Sequence, residues 1–193
     1  MFYSTDEPLI AKEIIDDLWK EAFYARKSCW LKVMSNSMFP LMEAGDYVLL
    51  EYIETSSINS GDIITYIYKP GLLMSHRIIG QLINKTNTYY IEKPDNGIFY
   101  SIIPQNSILG KITKIKKNNK IFDLNKGIIN IFNRALTFHS KLIFFLSKEL
   151  LPKSENMSGS FFPSMILYFL NLASLFPSKI FGLWKRLLKI FNT

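Results

Sequence analysis

The chain predicts an α+β protein: a small, mostly antiparallel β domain with an N-terminal helix and a C-terminal α-helical, membrane-interacting region. Three observations predict it. Residues 8–27 carry apolar side chains at helical spacing. From Trp30 the texture changes to short β-type runs divided by Gly, Pro, Asn and Ser. After Lys116-Lys117-Asn118-Asn119-Lys120 the spacing is helical again and stays so. The expected parts are 1–29, 30–117 and 118–193.

In the first helix, Leu9, Ile10, Ile14, Leu18, Ala22 and Phe23 share one side, and Lys12, Glu13, Asp16, Asp17, Lys20 and Glu21 the other. This is the pattern of a helix packed on the domain behind it. Roughly 30 residues before the first strand are too few for a DNA-reading domain, so nucleic acid is not an expected partner. Strands are expected near 30–34, 46–53, 62–68, 73–83, 88–92 and 108–116. Between them lie the breaks Asn59-Ser60-Gly61, Lys69-Pro70-Gly71, Asn84 to Asn87 and Pro94-Asp95-Asn96-Gly97. Residues 126–150 then put Ile128, Ile129, Phe132, Leu136, Ile143, Leu146 and Leu150 on a broad apolar face. Residues 151–160, with Pro152, Gly159 and three serines, read as a linker.

Composition limits the chemistry. The chain has 193 residues with a single cysteine, Cys29, which excludes an internal disulfide and favours a reducing compartment. With two histidines in all, no metal site is expected, and no cofactor is implied. The net charge of +7 is unevenly placed: residues 1–110 hold 9 Lys/Arg against 13 Asp/Glu, and residues 111–193 hold 14 against 3. Basic and apolar together point to an anionic membrane surface, contacted through 128–193.

The N-terminus is acidic where a secretory signal is basic, so no export signal is expected and the protein is placed at the cytoplasmic face of a membrane. From Asn156 to Ser178 no residue is charged, long enough to raise a transmembrane span. Gly159, Pro163, Asn171 and Pro177 interrupt it, and Lys179, Lys185, Arg186 and Lys189 beyond it oppose the positive-inside tendency. A monotopic or re-entrant arrangement is therefore expected. In the last helix Ile180, Trp184, Leu187, Leu188 and Phe191 would face the lipid.

Ser35-Asn36-Ser37-Met38-Phe39-Pro40, closed by Gly45-Asp46-Tyr47-Val48, is a spacing that packing alone does not require. A serine hydroxyl becomes a nucleophile when a base takes its proton and donors face the developing oxyanion. Ser37 is the candidate nucleophile and His76, in Ser75-His76-Arg77, the candidate base. The Ser37 N–H and the Ser35 hydroxyl are candidate oxyanion donors. Met38 would anchor the loop and Pro40 stiffen it. Asp46 and Asp62 read as turn formers, His139 as a surface or interfacial residue, and Lys69 and Lys93 as reserve bases without a motif.

Ser35-x-Ser37-Met38-x-Pro40, Gly45-Asp46-x-Val48, Gly61-Asp62-Ile63-Ile64, His76-Arg77, Pro94-Asp95-Asn96 and Leu109-Gly110-Lys111 resemble, in order, the boxes of the type I signal peptidase and LexA-like superfamily. The resemblance runs from about Val33 to Ile115. It is similar to the branch using a Ser/His pair, as in endoplasmic-reticulum-type and SipW-like signal peptidases. It implies Ser37 as nucleophile, His76 as general base, Ser35 as oxyanion contributor and Asp95 as a residue that orients or supports the site. Pro94 stands where that box has glycine, and the N-terminal anchor usual in such peptidases is not seen. The implied activity is a serine endopeptidase that cleaves a precursor or leader peptide after small residues. The other reading is a non-catalytic LexA-like binding module or membrane scaffold.

Overall fold

The runs that begin at Trp30 pair into one sheet. In a computed structural model, which describes residues 9–84 and 87–155, the elements are α1 (Leu9–Arg26), β1 (Ser28–Lys32), β2 (Tyr47–Glu51), β3 (Ile63–Lys69), β4 (Leu72–Asn84), β5 (Asn87–Lys93), β6 (Ser101–Pro104), β7 (Ile108–Lys117), β8 (Lys120–Asp123) and α2 (Gly127–Glu155). The architecture is α+β, an eight-stranded antiparallel sheet in the order β1-β2-β7-β3-β4-β5-β6 with β8 on β7. β7 is the hub. One side pairs with β2, while the other pairs first with β3 and then with β8.

Two of these strands were not expected. β8 follows Asn118 and Asn119, whose φ values of 47° and 63° make the two-residue turn that reverses β7 onto it. The lysines around that turn hide the hairpin in a run that looks like a domain end. β6 is short and exposes all but Ile103, so it lacks a readable alternation and exists by pairing with β5. α2 is also longer than expected: residues 151–155 continue the helix where a linker was read. The apolar stretch 156–178 and the expected last helix lie outside the described residues. Among the described residues no helix is long and apolar enough to cross a membrane.

The main core brings Phe23 of α1 and Phe132 and Leu136 of α2 against Val48, Leu50, Ile63, Ile112 and Ile115 of the sheet. Each such side chain contributes about 1.5–3 kcal/mol by burial, which is why both helices sit on the sheet. A second cluster, around Ile64, Tyr66, Ile78 and Tyr90, fills the β3–β4–β5 region. Gly110 lets β7 approach β2: a Cβ there would run into the Glu51 carbonyl oxygen.

Candidate active site

Ser37 sits in a short turn between β1 and β2 that its own neighbours hold. Met38, Leu41 and Met42 are buried in the main core, so the residues after the serine anchor the loop from below. The Asn36 side chain accepts the Ala44 N–H at 2.8 Å, and Met42 N–H bonds to the Met38 carbonyl at 3.1 Å. The Phe39–Pro40 peptide is cis. Gly45, at φ 98°, turns the chain so that Gly45 N–H reaches the Val33 carbonyl and Val33 N–H the Asp46 carbonyl. Asp46 and Asp62 are turn formers, as read: their carboxylates accept the N–H of Glu43 and Asn59 and pair with Lys117 and Lys111. The Ser35 hydroxyl donates to Ser37 Oγ at 3.3 Å, which puts the two candidate oxyanion residues side by side.

His76 lies on β4 and is buried. Its Nδ1 is 2.6 Å from Glu92 Oε2, and Glu92 Oε1 accepts the Tyr66 hydroxyl at 3.0 Å. Strand pairing makes this contact, since β5 runs antiparallel to β4 with Glu92 opposite Ile78, on the face that His76 shares. Burial, and then the Glu92 charge, push the Tyr66 phenol well above its ordinary range, so it stays protonated and donates to the carboxylate. With Nδ1–H held by Glu92, the lone pair of the neutral ring is on Nε2.

Asp95 has a different partner. Its two oxygens take Nε and Nη2 of Arg77, both at 2.7 Å, with both side chains wholly buried. Arg77 Nη1 reaches the Gly61 carbonyl, Asn133 Oδ1 at 2.6 Å and Thr137 Oγ1 at 3.1 Å, so this guanidinium joins the sheet to α2. The carboxylate that meets His76 is therefore Glu92, while Asp95 fixes Arg77, the residue after that histidine. Its neighbour Asn96 reaches the loop of the candidate nucleophile directly, its N–H donating to the Ser37 carbonyl at 2.9 Å and its side chain to the Asn36 carbonyl at 3.3 Å. Lys93 is buried on the Arg77 face and donates to the Pro94 carbonyl, and Lys69 lies over the Tyr68 ring at the surface. His139 is half-buried on α2.

Ser35, Ser37 and His76 line one cavity of about 530 Å³. Residues 31–35, Ser37, Met38 and Met42 line it, as do residues 71–76. Leu31, Val33, Met38, Val48, Leu73, Met74 and Ile112 make it mostly apolar. A larger cleft of about 1100 Å³ is lined by Tyr24, Lys27, Tyr52, Thr55, Tyr89 and Gln105 among others, and no histidine is among its described lining residues.

Glu92 and Tyr66, which bond to the candidate base directly and through each other, carry no motif in the sequence. One signal was present: Tyr89-Tyr90-Ile91-Glu92 places an acid at an alternating position of an apolar strand, where a buried carboxylate needs a partner. No family model matches the chain, and no curated protein matches it.

Proposed function

We propose that the protein is a serine endopeptidase of signal-peptidase type, with Ser37 as nucleophile, His76 as general base and Glu92 as the carboxylate that holds the base. The observation that carries the proposal is the buried His76–Glu92 bond at 2.6 Å on a cavity shared with Ser37. A carboxylate on Nδ1 leaves Nε2 as the nitrogen that can take a proton, which is what a general base requires. Ser37 Oγ attacks a peptide carbonyl as His76 Nε2 takes its proton; the amine leaves with that proton, and water, activated by the same nitrogen, hydrolyses the acyl-enzyme. The Ser37 N–H and the Ser35 hydroxyl receive the oxyanion. The order of the boxes and the antiparallel sheet together favour the signal-peptidase and LexA-like fold.

The backbone around the cavity suits an extended substrate. Residues 72–76 of β4 pair only with β3 among the described residues, because β5 begins its pairing at Arg77. Among the described residues β1 pairs only with β2. A peptide laid as a strand between 31–35 and 72–76 would add main-chain hydrogen bonds along the edges of β1 and β4. By the resemblance it would present a small residue before the cleaved bond. The substrate class is a precursor or leader peptide, met at the cytoplasmic face of a membrane to which the basic, apolar C-terminal part attaches.

Incubation with a library of extended peptides, read by mass spectrometry, tests the proposal. Cleavage after small residues that disappears in Ser37→Ala and in His76→Ala, both folded as wild type, supports it. Equal cleavage by all three proteins, or none by the wild type, leaves the non-catalytic binding module.

A further inference from the structure

α2 presents two chemically different sides. Its inner side belongs to the core through Phe132, Leu136 and Ile143, and holds Arg77 through Asn133 and Thr137. Its outer side carries Ile128, Ile131, Phe138, Leu142 and Phe145, all exposed, with Phe138 at 71% and Ile131 at 68%. At 100° per residue these five fall within about a third of the helix circumference, a continuous stripe. Five large apolar side chains in line are more than scattered surface apolarity explains.

The charges beside the stripe indicate what it faces. Arg134, Lys141 and Lys148 are exposed and spaced by seven, so they form a row along one edge of the stripe. From Gly127 to Lys148 the chain has no Asp or Glu at all. An apolar stripe edged by an unbroken row of cations complements the boundary between acyl chains and acidic headgroups. A protein groove would satisfy the stripe without requiring the row.

We infer that the outer face of α2 lies flat on an anionic lipid surface, with Ile131, Phe138, Leu142 and Phe145 entering the headgroup boundary and Arg134, Lys141 and Lys148 on lipid phosphates and carboxylates. Because the opposite side of the helix grips Arg77, next to His76, docking would set the active-site cavity at a fixed attitude to the membrane. This makes specific the membrane attachment proposed above and does not depend on turnover by Ser37.

Co-sedimentation of the full chain with phosphatidylcholine vesicles, with and without about 30% phosphatidylserine, is the test. Wild type binds the anionic vesicles more tightly. Arg134→Gln/Lys141→Gln/Lys148→Gln weakens that binding on the order of 100-fold, at about fivefold per cation, and Phe138→Ser/Phe145→Ser weakens binding to both compositions. Both variants replace exposed side chains and should melt as wild type does. A variant that does not is replaced by a dye on Phe138→Cys in a Cys29→Ser background, whose emission shifts to the blue on anionic vesicles. Wild-type binding by both variants would assign attachment to residues 156–193 and overturn the role of α2. Vesicle-independent self-association abolished by the serine variant would make the face a dimer contact and overturn it equally.

Discussion

His76 Nδ1 and Glu92 Oε2 lie 2.6 Å apart, on neighbouring antiparallel strands, with the imidazole 7% and the carboxylate 2% exposed. A bond this short between a ring nitrogen and a buried carboxylate fixes both the rotation of the ring and the nitrogen that bears the proton. Tyr66 completes it by occupying the other oxygen of Glu92.

In the proposed mechanism, replacing Glu92 acts on the base. Glu92→Gln preserves shape but permits the wrong tautomer, and peptide cleavage should fall by about 10²–10⁴-fold with KM little changed. Tyr66→Phe removes one donor to Glu92 and should cost only a few-fold. Steady-state kinetics on a cleaved peptide checks both. An unaltered kcat in Glu92→Gln would mean that the carboxylate has only a packing role.

The Arg77–Asp95 pair should govern stability more than turnover. Arg77→Met leaves the Asp95 carboxylate buried with its main partner gone, and a loss of about 3–5 kcal/mol is expected in urea unfolding. Arg77→Met/Asp95→Leu removes both charges and should lose less than Arg77→Met alone. If the double variant is the less stable of the two, the pair is net favourable and the penalty on a lone charge is not the deciding effect.

Lys93 introduces a pH dependence of the same sense as the usual carboxylate one but in an alkaline window. Burial is the main cause that lowers its ammonium from 10.5 to about 8, assisted by Arg77 and opposed by Asp95 and Glu92. Between those two values the unfolded chain holds a proton that the folded chain has released, so this group makes stability rise with pH from about 8 to about 10.5. Below that window the folded protein carries the full penalty. Lys93→Met should be more stable than wild type at pH 7 by up to about 3 kcal/mol, with the difference closing as pH rises through the window. Parallel stability curves for the two proteins would show that Lys93 is not the source.

The residues that could be read in advance are those whose signal is local. Six of the strands, α1 and the body of α2 follow from period and turn residues along the chain. Ser35, Ser37 and His76 stand out by spacing, and the structure brings all three to one cavity. What only the tertiary structure decides is which acid meets which base. Asp95 and Glu92 are three residues apart and look interchangeable in the sequence. The register of β5 on β4 sets Glu92 on the face of His76, whereas Asp95, in the loop after β5, meets Arg77, the next residue of β4. A strand alternates its side chains with period two, so pairing register, a long-range property, assigns Glu92 its partner, and the path of the loop after β5 assigns Asp95 its own.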